Sequence, residues 1–121
     1  MTRASAILVV ALALLLGCGR DPIVGRWEGK SVFGADLALT FQSDGRLTVT
    51  FLKDGHTNHG KYWLDVSPTP HHFDYELQGR GRIRTILEFV DRDTIAFEEV
   101  ASSGDPRPTQ FGRHRLVFRR K

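Results

Sequence analysis

Cysteine occurs once in this chain, at Cys18, so no disulfide can form within it, and stability has to come from packing. No apolar run reaches the roughly 20 residues of a membrane-spanning helix. From Ile23 onward apolar positions do not recur at three and four residues over any long window, which excludes a helical domain. Charge of one sign is lacking too: 17 Lys and Arg face 14 Asp and Glu. So mild an excess predicts no polyanion partner and argues against nucleic acid.

What is present at the start is an address. Arg3 precedes the apolar run Ile7 to Leu14, and Leu15-Leu16-Gly17-Cys18 follows directly. A basic start, a moderate apolar run and small residues at the cut are the parts of a secretory signal. The cysteine after Leu-Leu-Gly makes it resemble a bacterial lipoprotein signal, in which the thiol takes a diacylglycerol and the freed amino group is acylated. The alternative, Cys18 as a small buried hydrophobe, leaves the preceding segment unexplained. The expected division is a signal over residues 1–17, an acylated tether over 18–22 and one domain over 23–121. Two or three acyl chains on Cys18 would anchor the protein stably in a membrane. Gly19 after the cysteine, where an aspartate is absent, resembles lipoproteins sorted to the outer membrane. That places the domain in the cell envelope, facing the periplasm. Of the 17 basic residues only Arg3 precedes Cys18, so 16 remain against 14 acidic ones, a balance of +2.

From Ile23 onward the pattern is alternation. Leu37, Leu39 and Phe41 alternate with polar or small residues, Ser43-Asp44-Gly45 supplies a turn, and Leu47, Val49 and Phe51 alternate again. That predicts a hairpin, with the glycine at the φ > 0 position. Asp54-Gly55 marks another turn. Further sets are Tyr62, Leu64 and Val66; Phe73, Tyr75 and Leu77; Ile83, Thr85, Leu87 and Phe89; Ile95 and Phe97; and Leu116 and Phe118. With an opening segment around Trp27, about eight short strands result, the signature of a small antiparallel barrel or sandwich. The inward set would include Trp27, Phe41, Phe51, Tyr62, Phe73, Tyr75, Phe89, Phe97 and Phe118. So many rings in so small a barrel predict a filled interior without a deep ligand cavity.

Several local patterns then add up to a family. Gly25-Arg26-Trp27 resembles the Gly-x-Trp that opens lipocalins. Gly60-Lys61-Tyr62-Trp63-Leu64-Asp65, followed by a proline-containing loop and Phe73-Asp74, is similar to a region of the small lipocalin-like domains abundant in Planctomycetes. Glu88-Phe89-Val90-Asp91-Arg92-Asp93-Thr94-Ile95 and Arg107-Pro108-Thr109-Gln110-Phe111 continue the resemblance over nearly the whole mature chain. Arg92 stands where that family usually has glycine, and Glu98 close to where it has cysteine. The resemblance implies an all-β, lipocalin-like barrel without an assigned activity, so it speaks to fold more than to function.

Chemistry-bearing residues are sparse. His71 and His72 are consecutive on a strand and point to opposite faces, and His56 and His59 lack a cysteine or carboxylate at zinc spacing. No metal and no cofactor is expected. Ser102-Ser103-Gly104 has no Gly-x-Ser-x-Gly context. Glu88, Glu98 and Glu99 are the carboxylates that could pair for acid–base work, but Glu88 and Glu98 fall outward if Phe89 and Phe97 face in, so no catalytic residue is assigned and the chain is read as no enzyme. The sharper feature is basic: Arg80, Arg82 and Arg84 alternate with an apolar set, and Arg115, Arg119 and Lys121 do so on the last strand. Such a face suits anionic headgroups, although charges on edge strands also block edge-to-edge pairing. Trp63 is pushed outward by Tyr62 and Leu64, either as a partner anchor or packed beneath a loop. The sequence therefore suggests an envelope lipoprotein with a non-enzymatic binding or interaction module. Its candidate contacts are Trp63, Arg80, Arg82 and Arg84, and its partner is an envelope protein or a small apolar ligand. A structural accessory subunit of an envelope assembly is the alternative, with a hydrolase behind both.

Overall fold

The computed structural model describes residues 21–121, so the signal and Cys18 lie outside the described residues. Eight strands follow one another: β1 (Gly25–Lys30), β2 (Asp36–Phe41), β3 (Arg46–Phe51), β4 (Thr57–Asp65), β5 (His71–Leu77), β6 (Ile83–Asp91), β7 (Thr94–Glu98) and β8 (Arg115–Arg120). Each pairs antiparallel with the next, and β8 returns to β1 to close a barrel. The all-β, eight-stranded barrel expected from the alternation is thus the fold. Among the described residues no helix is long and apolar enough to cross a membrane.

Turn chemistry sets the register. Gly45 stands at φ 93° between β2 and β3, donating its N–H to the Gln42 carbonyl at 3.1 Å. A side chain at that φ would be strained. The turn at Asp91-Arg92-Asp93 needs no such residue, since Gln78 is the only non-glycine at positive φ among the described residues. Arginine therefore fits this turn without strain. The barrel closes over a short seam, with Trp27, Glu28 and Gly29 opposite Arg120, Arg119 and Phe118. A Cβ at Gly29 would sit 2.9 Å from the Phe118 ring and run into the Val117 carbonyl, so this close approach requires glycine.

The barrel has two unlike ends. At the end where β1 begins and β8 finishes, Ile23, Trp27, Phe41, Phe73 and Phe118 are all but fully buried. The Trp27 indole donates to the Ile23 carbonyl at 2.9 Å. The Arg120 guanidinium lies 4.2 Å over the Trp27 ring and donates to the carbonyls of Val24 and Pro22 at 3.0 and 2.7 Å. The chain entering the barrel is thereby pinned across its floor. At the opposite end the loops β1–β2, β3–β4, β5–β6 and β7–β8 surround an opening. Because the described chain enters at the floor, this mouth lies on the side away from residue 21.

The strand alternation fails locally at Val66, expected to continue an inward set with Tyr62 and Leu64. It is exposed, because β4 ends at Asp65 and the Asp65 carboxylate accepts the Ser67 N–H at 3.0 Å, starting a turn. The Ser67 N–H also holds the Asp65 carboxyl below the usual carboxylate range.

Candidate ligand-binding cavity

The interior is not filled. A cavity of about 510 Å³ opens at the mouth and reaches inward as far as Leu47, Phe73 and Phe118, walled by Leu37, Leu39, Leu47, Val49, Leu77 and Leu116. The rings of Phe73, Phe97 and Phe118 border it from within. This corrects the expectation of a barrel packed by its own side chains, and the cause is where the aromatics lie along the axis. Phe41 meets Tyr62 edge-on at 4.9 Å and Phe73 at 5.9 Å near the floor. Phe97 stacks on Phe118 at 5.6 Å. Toward the mouth, β2 and β3 offer only leucine and valine inward until Phe51, which is half-buried at the rim. Phe89, also expected inside, is half-buried near the floor edge, 5.8 Å from the His71 ring. Parity tells that a residue points inward; it does not tell its height.

The size lies within the roughly 300–1,000 Å³ of small-molecule sites, which are mostly apolar with a few placed polar groups. Here the polar group is Glu99. It follows Ile95 and Phe97 on the inward parity, one residue beyond β7, and its N–H bonds the His114 carbonyl at 2.9 Å. Its Oε1 is buried without a hydrogen-bond partner, the only such side-chain atom among the described residues. Tyr75, on the same wall, has its hydroxyl pushed up to about 12, chiefly by burial and further by the Glu99 charge. The sequence reading missed Glu99 as an interior group, although its parity with Phe97 was the available signal.

The outward residues singled out from sequence occupy three different settings. Arg82 lies 3.8 Å over the Trp63 ring and donates to Asp74 Oδ2 at 2.9 Å. Trp63, 37% exposed, is therefore the platform of a stacked cation. Arg107, from the long β7–β8 loop, donates to Asp74 Oδ1 at 2.6 Å and to the Thr85 carbonyl at 2.7 Å. Two guanidiniums thus neutralise a carboxylate that is 5% exposed on the outer face. Arg84 is exposed, directly opposite Asp74 in the sheet register. Arg80 sits in the β5–β6 turn, exposed at the mouth of the cavity. These three arginines do not form one uniform stripe.

Glu98 points outward as its parity requires, yet it is buried beneath the same loop, accepting the N–H groups of Gly112 at 2.9 Å and His114 at 3.3 Å. It is the loop's anchor. The histidines are dispersed: His59 Nδ1 pairs with the Thr48 hydroxyl at 3.2 Å and His71 Nδ1 with the Pro68 carbonyl at 2.9 Å. Among the described residues no three His, Cys, Asp or Glu come together as a metal-binding group.

The geometry is that of a small closed barrel, sealed by a Trp–Arg floor and open at one end onto an apolar cavity with one buried carboxylate oxygen. Searches against protein-family models, curated proteins and solved structures find no match to this chain, so its architecture rests on the strand pairing itself.

Proposed function

We propose that this chain is an envelope lipoprotein whose barrel binds one small apolar ligand, without catalysis. The observation that carries the binding half is the cavity of about 510 Å³ with its aliphatic walls. An apolar void of that size stays poorly hydrated and gains contacts when an apolar molecule enters it. Phe33, 93% exposed on the β1–β2 loop and lining the same cavity, is suited to an entry lip for such molecules. The anchoring half rests on the Leu15-Leu16-Gly17-Cys18 signal. With a tether leaving from the floor side, the mouth would face away from the anchoring membrane, as suits a carrier loading from the aqueous space. Intact-mass measurement of the chain recovered from envelopes should show an acylated Cys18 as its first residue, and an unmodified Cys18 would sink the anchor.

Ligand binding is tested with N-phenylnaphthylamine, whose fluorescence rises in apolar surroundings. Titration of the domain should saturate at one equivalent, and decanol should displace the probe. Val49→Trp places a bulky ring from the wall into the void and should abolish binding while the barrel still unfolds cooperatively. Failure of the wild-type domain to enhance the probe, or unchanged binding by Val49→Trp, would contradict a cavity site.

A further inference from the structure

We infer that the ligand of this cavity is an aliphatic amphiphile with a positively charged hydrogen-bond donor at one end, a protonated primary amine being the simplest, held by the Glu99 carboxylate. The inference rests on the cavity as a ligand site and adds the chemistry of the head group.

Glu99 is where the interior changes character. The apolar cavity and a smaller cleft of about 380 Å³ beside it share Asn58, Tyr75, Leu77, Arg80 and Glu99. The cleft continues outward along Gly81, Ser102 and Ser103, so an amphiphile with its chain among the leucines would bring its head to Glu99. A carboxylate oxygen shut away from water normally has a donor, since buried polar groups are costly when unpaired. Glu99 Oε1 has none, and no Lys, Arg or His forms a salt bridge with Glu99 among the described residues. The preceding carboxylate, Glu98, accepts two backbone N–H groups and has no need of a ligand.

Ligand charge is decided by the competition between Glu99 and Arg80. Arg80 is exposed at the rim, where solvent and salt screen its attraction for an anion. Glu99 Oε1 is buried, where a charge-assisted bond to an ammonium is about twice as strong as one between neutral groups. The inner group wins, and the cavity selects a cation over a carboxylate.

The experiment is displacement of N-phenylnaphthylamine from the wild-type domain by decylamine, decanol and decanoate, each below its micelle threshold and near neutral pH. The three share one chain length and differ in the head. Decylamine is expected to bind about tenfold or more tightly than decanoate, with decanol between them. Glu99→Gln should remove about tenfold from decylamine while leaving decanol within about twofold. Equal displacement by all three would overturn the role of Glu99 and leave the apolar cavity standing. Tightest binding by decanoate would transfer head-group recognition to Arg80. No displacement by any of them, with the probe itself unbound, would instead mean that the cavity is not a ligand site. The ordering in the wild type stands whether or not Glu99→Gln folds.

Discussion

The floor and the mouth of this barrel are built from the same alternating strands, yet one is a packed aromatic plug and the other a void. At the floor, Trp27 is fully buried, hydrogen-bonded to Ile23 and covered by Arg120. At the mouth, Leu37, Val49 and Leu77 face space with a single carboxylate, Glu99, among them. Stability and binding are thereby separated along one axis. The rings near the floor hold the fold, so the mouth half is free to stay unfilled.

That division is broken most severely by truncation near the floor. Phe41→Ala removes a buried ring that contacts Tyr62 and Phe73, and should cost about 3–5 kcal/mol. Leu77→Ala at the mouth should cost only about 1 kcal/mol, because its side chain already borders empty space. Denaturant unfolding of the two variants measures the contrast, and equal losses would mean that the interior is uniformly packed. An intermediate effect is expected outside the barrel. Arg107→Ala deprives the buried Asp74 carboxylate of one guanidinium and frees the β7–β8 loop, for a loss of about 2–3 kcal/mol in the same assay. Less than about 0.5 kcal/mol would show the loop to be a passive cover.

The smallest effect distinguishes the two tyrosines from exposed ones. Burial is the main cause that raises both Tyr62 and Tyr75 from the ordinary 10 to about 12. The folded state favours the neutral phenols, so this contribution to stability is complete below pH 10 and is lost as pH rises through about 12. Tyrosinate absorbance should show no step near pH 10 in the folded protein, and a full step near pH 10 in denaturant. A folded-state step near pH 10 would put one ring in water.

Much of the fold was legible in the sequence because a period of two is a local signal. Leu37, Leu39 and Phe41 declare a strand face, and Asp44-Gly45 declares the turn that follows. The cavity was not legible, because it depends on the height of each inward residue, set by register and strand tilt around the whole circle. Nor was the Asp74 cluster, which joins Arg82 from eight residues away to Arg107 from thirty-three. Trp63 and Arg82 both face outward by parity, but only the β4–β5–β6 pairing brings them into a stack. Glu99 was within reach of sequence reasoning. It shares its parity with Phe97, but a polar residue past the last apolar position of a strand is read as loop.

The two ends of the interior differ, one solid and one open to ligand, and methyl- and indole-detected chemical-shift mapping during titration with decanol reads that difference residue by residue. Saturable shifts confined to the lining methyls of Leu37, Leu39, Leu47, Val49, Leu77 and Leu116, with the Trp27 indole unmoved, are the result expected from the geometry. Absence of saturable shifts in those methyls, or shifts of equal size at Trp27, would contradict it.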